Sequence, residues 1–272
     1  MSILTWSQLL DPSVNSLSYL HVLLAQIQAQ TEKPRSFRSG PTISHPGSSL
    51  WKRTVRLLEK FDPIQIRYAG AEWRKLLEYT VRVARVMNQV SSPIMEGRLR
   101  EDELTVSKPA AALAPIRHAM LRLDPSTGTL TTTHVHYMRL CLEARAYRDA
   151  IPILENQIHS FPSATSSALD GPYPCSDHQL SSGYITYRSG LTEKLSTADV
   201  HEYFVLGAMV YTALQKYNEA LSFLEHVLIA PTQNVASGLM LEAYRKWLLI
   251  GCLIEGKVWA ALTASVTYEF RR

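Results

Sequence analysis

The sequence predicts an all-α protein, a right-handed α-solenoid of tetratricopeptide-like helical hairpins. Three observations carry that expectation. Apolar residues recur at i, i+3, i+4 and i+7 through most of the 272 residues, no alternating run is bounded by hairpin turns, and an apolar-to-alanine step recurs in the second half. The nearest approach to a strand, around Thr129, is short, lacks a second run to pair with and leads into a helical pattern.

From the amino terminus, Asp11-Pro12-Ser13 reads as a helix start, an acceptor side chain followed by proline at the first helical position. A helix from there to about Gln30 would bury Leu17, Leu20, Leu24 and Ile27. The next helix carries Trp51, Val55 and Leu58, after which Asp62-Pro63 repeats the start signal. A longer helix then aligns Trp73, Leu76, Leu77, Thr80, Val81, Ala84 and Met87 on one stripe. Its other side, Arg74, Lys75, Glu78, Arg82 and Arg85, is expected to face water. Segments rich in Ser, Pro, Gly and Thr interrupt these patterns, because such composition buries too little apolar area to offset chain ordering. The organisation expected is an amino-terminal helical region over 1–130, with loops at about 31–49 and 91–109. A helical-repeat region follows over 131–272, with a flexible insertion at about 161–196.

The repeat organises the second half. AYRDAIPILENQI around Tyr147 aligns with KYNEALSFLEHVL around Tyr217 and with KVWAALTASV around Val258. In each, alanine follows three positions on: Ala150, Ala220 and Ala261. A small residue there lets two antiparallel helices approach closely. Seventy residues separate Tyr147 from Tyr217 and 41 separate Tyr217 from Val258. The shorter spacing is one helix pair, and the longer is one pair plus the insertion. First helices precede each copy, around Val135, Met138 and Leu142, then Phe204, Ala208 and Tyr211, then Tyr244, Trp247 and Gly251. The middle copy, closed by Pro231, comes nearest the tetratricopeptide pattern, and Pro152 is expected to disturb its own helix unless it lies in the first turn.

Composition removes several function classes. With 46% hydrophobic residues, 28 Lys plus Arg and 24 Asp plus Glu, the chain is neither disordered throughout nor strongly basic. No stretch reaches the ~18 apolar residues of a membrane span. The three cysteines, Cys141, Cys175 and Cys252, are odd in number and far apart, which suggests neither a disulfide framework nor a zinc site. The first residues carry no basic region followed by a long apolar run, so a reducing compartment, cytoplasm and nucleus, is expected.

Catalytic patterns are thin. His134 and His136 lie two apart and face different sides of a helix, without a third ligand nearby. His201-Glu202 and Glu225-His226 read as surface pairs, Cys141 and Cys252 as buried inert thiols, and Cys175 as a loop thiol. Tyr203, Phe204, Tyr211 and Tyr217 read as core at helical spacing. Phosphate loops, dinucleotide fingerprints and nucleophile elbows are missing. No catalytic, cofactor-binding or metal residue is therefore assigned, no cofactor is expected, and the chain is not read as an enzyme.

Between His201 and Val258 the sequence carries a more specific signal. EYFVLGAMVYTALQKYNEALSFLEHVLIAP, followed by SGLMLEAYRKWLLIGCLIEGKV, resembles the family of the third subunit of the COP-nine signalosome. The carrying elements are MVYTAL with the aromatic turn and EAL after it, Pro231, and MLEAYRKW leading into the GKV turn. The resemblance implies a non-catalytic scaffold subunit of a complex that removes the ubiquitin-like Nedd modifier from cullins of cullin-RING ubiquitin ligases. Its partners would be the other signalosome subunits, with no small-molecule substrate, nucleic acid or membrane. Family members continue into a winged-helix PCI domain, whereas this sequence stops at Phe270-Arg271-Arg272, so a truncated chain without that domain is expected.

Three other readings remain open at the level of sequence. One is a stand-alone tetratricopeptide-like adaptor for protein partners. Another is a scaffold subunit of a related PCI complex such as the proteasome lid. The last is a helical-repeat nucleic-acid binder using the basic side of Arg67, Arg74, Lys75, Arg82 and Arg85.

Overall fold

A computed structural model describes residues 11–31, 49–90, 110–162, 181–230 and 237–256. Helices follow one another along the chain: α1 (Ser16–Thr31), α2 (Ser49–Lys60), α3 (Pro63–Ile66), a 3-10 turn (Arg67–Ala69) and α4 (Gly70–Val90). Then come α5 (Ala110–Leu123), α6 (Thr132–Glu143), α7 (Tyr147–Leu154), α8 (Ser181–Tyr184), α9 (Thr197–Ala213), α10 (Tyr217–Leu228) and α11 (Gly238–Glu255). Among the described residues no strand forms. Thr129 and Ser160 make one isolated parallel bridge, in which Leu130 N donates to Ser160 O at 3.1 Å, and α6 starts immediately afterwards. The fold is all-α, as periodicity predicts.

Local signals account for the helix boundaries. Asp11-Pro12-Ser13 forms a turn instead of starting α1. The Asp11 carboxylate accepts from Ser13 N at 3.2 Å, and Asn15 caps the helix by accepting from Ser18 N. Leu20, Leu24 and Ile27 are buried as expected, while Leu17 is half-buried. Asp62 does cap, accepting from Ile64 N with Pro63 at the first position, yet the helix it starts lasts one turn before the chain re-enters α4. Pro152 sits sixth in α7, beyond the first turn. Pro152 lies on the exposed side, where the Arg148 carbonyl that loses its donor is open to solvent, and α7 ends at Leu154, well short of α10's length.

Packing runs from one helix pair to the next. α1 packs on α2 and α4, and α5 joins α2 and α4 to α6 and α7. α9 then leans on α6 and α7, and α10 and α11 close the series against α9. One apolar cluster runs through all of it, from Leu20 to Ile250, and so crosses residue 130 without a break. Trp73 packs against Phe61 with the rings tilted at 46° and 4.5 Å between ring centres at one end, and Trp247 is buried at the other.

The expected insertion at about 161–196 is described in part. Residues 163–180 lie outside the described residues, as do 32–48 and 91–109 of the two earlier loops. Residues 181–196 are held down: Tyr184 donates to Leu123 O at 2.7 Å, and Ile185 and Leu191 join the core. The chain there approaches α4 so closely that a Cβ on Gly70 would overlap the Ser189 carbonyl oxygen.

Candidate interaction surface

The hairpins of the second half place His134, His136, His201, Glu202, Glu225 and His226. In α6–α7 and α9–α10 the turns are alike. Arg145 (φ 54°) and Gln215 (φ 60°) adopt the left-handed conformation. Ala146 N donates to Cys141 O and Lys216 N to Tyr211 O, both at 2.9 Å, while Arg145 N and Gln215 N reach Leu142 O and Thr212 O. These paired bonds are the Schellman closure, which satisfies the last carbonyls and reverses the chain. Tyr147 and Tyr217 therefore open equivalent helices, both half-buried against the core, and Ala150 and Ala220 are completely buried in the seam. Val258 and Ala261 of the third copy lie outside the described residues, as do Cys175 and Pro231.

Aromatic rings fill the middle hairpin. Phe223 lies 5.1 Å from Tyr211 and 5.5 Å from Phe204, and a Cβ on Gly207 would stand only 2.7 Å from the Phe223 ring. His226 stacks on Phe204 at 5.0 Å. Tyr203, Phe204, Tyr211 and Tyr217 thus serve as packing groups, and burial raises the Tyr203 hydroxyl's pKa.

The polar pairs separate. His134 is buried, its Nδ1 accepting from Thr131 N at 3.1 Å, and burial lowers its pKa to about 4. His136 is half-buried and also lowered, by burial first and then by the Arg139 and Arg85 cations. His201 is buried rather than at the surface, and Glu202 instead bonds the Arg139 guanidinium, tying α9 to α6. Glu225 accepts from Trp247 Nε1 at 3.3 Å, which joins α10 to α11. Burial pushes the Cys141 thiol up to about 12, so it is no nucleophile at neutral pH. Cys252 is half-exposed near the end of α11. Among the described residues no three His, Cys, Asp or Glu side chains converge on a metal-sized site.

Two surface features remain. A cleft of about 250 Å³ between α4 and α6 is lined by Arg74, Glu78, Thr133, His136 and Glu193. Arg74 lies 3.6 Å from Glu78 and 3.7 Å from Glu193, so this part of the expected basic side is neutralised within the fold. The second feature is the outer stripe of α11, where Leu249 and Leu253 are 66% and 69% exposed and Leu241 is partly exposed. That stripe was not anticipated from the sequence. The signal was available: α11 carries apolar residues on more sides than one neighbour can cover. Among the described residues no helix is long and apolar enough to cross a membrane.

Comparison with known proteins bears on the helical hairpins themselves. The profile of the family described as COP9 signalosome complex subunit 3, N-terminal helical repeats, matches residues 3–266. The chain belongs to this family. A COP9 signalosome complex subunit 3 from Emericella nidulans is 37% identical over 251 residues, covering 92% of this chain and 46% of that protein. Its counterpart in Neurospora crassa is 27% identical, covering 91% and 44%, and that of Arabidopsis thaliana 23% identical, covering 91% and 43%. The chain thus spans a little under half the length of these curated relatives. The family's description as helical repeats agrees with the stacked hairpins, and the match extends well before the His201–Val258 stretch that carried the resemblance.

Proposed function

We propose that the chain is a non-catalytic scaffold subunit of the signalosome named in its relatives, and that the assembled complex removes the Nedd modifier from cullins. The observation that carries this reading is the family match across residues 3–266 onto a continuous stack of helical hairpins. Hairpin stacks offer long outer surfaces that grip proteins through shape, while their apolar interiors are consumed in packing. The buried Cys141, His134 and His201 fit that division of labour. The partners are the other subunits, without a small-molecule substrate, nucleic acid or membrane, and the complex works in cytoplasm and nucleus. Within the chain, 1–130 forms the amino-terminal helical region and 131–272 the repeat region.

Purification of the tagged gene product from its own cells tests this. Other signalosome subunits should be recovered with it, and the purified assembly should release the modifier from a neddylated cullin. The chain alone should show no such activity. Recovery of the chain without any of those subunits would overturn the reading.

A further inference from the structure

The outer stripe of α11 has a specific occupant. We propose that it is the docking surface for residues 258–268 of this chain, packed antiparallel against it as the second helix of a third hairpin. The register of the turns carries the inference and does not depend on which complex the chain serves. Arg145, Gln215 and Gly256 all adopt left-handed φ values, 54°, 60° and 66°. In the first two hairpins the next helix opens two residues later, at Tyr147 and Tyr217, and two residues beyond Gly256 stands Val258. Gly256 N donates to Cys252 O at 2.9 Å, the single-bond form of the same left-handed stop. α11 therefore ends, like α6 and α9, on a left-handed residue, the conformation that in the first two hairpins precedes the chain reversal.

The faces correspond as well. Eight residues before the left-handed position stand Tyr137, Gly207 and Leu248, and four before it stand Cys141, Tyr211 and Cys252. In α6 and α9 these positions are buried against the returning helix: Tyr137 donates to Asp149 O at 2.8 Å, and Gly207 and Tyr211 meet Phe223. In α11 the equivalent Leu248 and Cys252 are half-buried, and Leu249 and Leu253 beside them are open. The following sequence supplies what covers such a face. Ala261 matches the buried Ala150 and Ala220, and Leu262 matches Ile151 and Leu221. Two residues, Gly256 and Lys257, join α11 to the segment, so the tethered segment reaches the stripe at far higher effective concentration than any separate chain.

Maleimide labelling of the native full chain, resolved by peptide mass spectrometry, tests this. Cys252 should react roughly tenfold or more slowly than in a Leu262→Asp variant, with Cys141 unreactive in both as the sign that the core is intact. Equal Cys252 rates would overturn the proposal. Protection that disappears on dilution of a dimer would also overturn it, assigning the stripe to a second copy. If Leu262→Asp exposes Cys141, amide hydrogen exchange on the unmodified chain decides. Slow exchange over 258–268, comparable with α10, supports the docking, and exchange at the rate of an unstructured peptide contradicts it.

Discussion

Gly70 and His134 show how much single positions carry. A Cβ at residue 70 would overlap the Ser189 carbonyl oxygen and stand 2.9 Å from Leu191 N, and backbone cannot swing away as a side chain can. Gly70→Ala should therefore cost about 2–3 kcal/mol, outweighing the roughly 0.5–1 kcal/mol that alanine gains over glycine in a helix, and lower the urea midpoint without changing the slope. His134 holds its Nδ1 against the Thr131 N–H, so a proton added there would destroy an acceptor that the helix start uses. Its folded pKa is about 4 against an unfolded value near 6.5. Between those limits the unfolded chain binds the extra proton, so stability is full above pH 6.5 and falls toward pH 4, by about 3 kcal/mol for this residue. His136 and His201, lowered chiefly by burial, act in the same direction. Chemical denaturation at pH 7 and pH 4.5 should show the loss. His134→Gln, which can still accept from Thr131, should flatten most of it. Neither role was legible in the sequence. A histidine two residues from another reads the same whether buried or exposed, and Gly70 matters through a loop more than a hundred residues away.

Among the elements, the two visible hairpins depend on alanine at one place. Ala150 and Ala220 are fully buried where α7 meets α6 and α10 meets α9. Ala220→Leu should cost about 1–3 kcal/mol by forcing the helices apart, whereas Ala213→Leu, at an exposed site, should change stability little. The Arg139–Glu202 contact between α6 and α9 is partly exposed, so Glu202→Gln should cost under about 1 kcal/mol. Thermal or urea unfolding distinguishes all three. This hairpin pattern was readable because its signals are local: an aromatic and an alanine three residues on, at Tyr147–Ala150 and Tyr217–Ala220. α5 was passed over although Leu113, Ile116 and Met120 follow helical spacing, because the Ser/Pro-rich stretch before it dominates the window. Residues 181–196 read as loop for a different reason. Their order comes from distant partners, Leu123 O for Tyr184 and the start of α4 for the Ser189 turn, which local composition cannot encode.

At the scale of the molecule, a single apolar cluster joins the helices, and polar ties such as Trp247 to Glu225 and Arg139 to Glu202 link neighbouring ones. Stacked hairpins of this kind are in keeping with a family described as helical repeats. Cross-linking mass spectrometry on the purified assembly tests the scaffold role most directly. Surface lysines such as Lys52, Lys75 and Lys194 offer attachment points on both halves of the stack. The account predicts cross-links from this chain to at least one other signalosome subunit, formed under conditions where neddylated cullin is processed. An assembly that forms and processes cullin equally well when this chain is removed would contradict it.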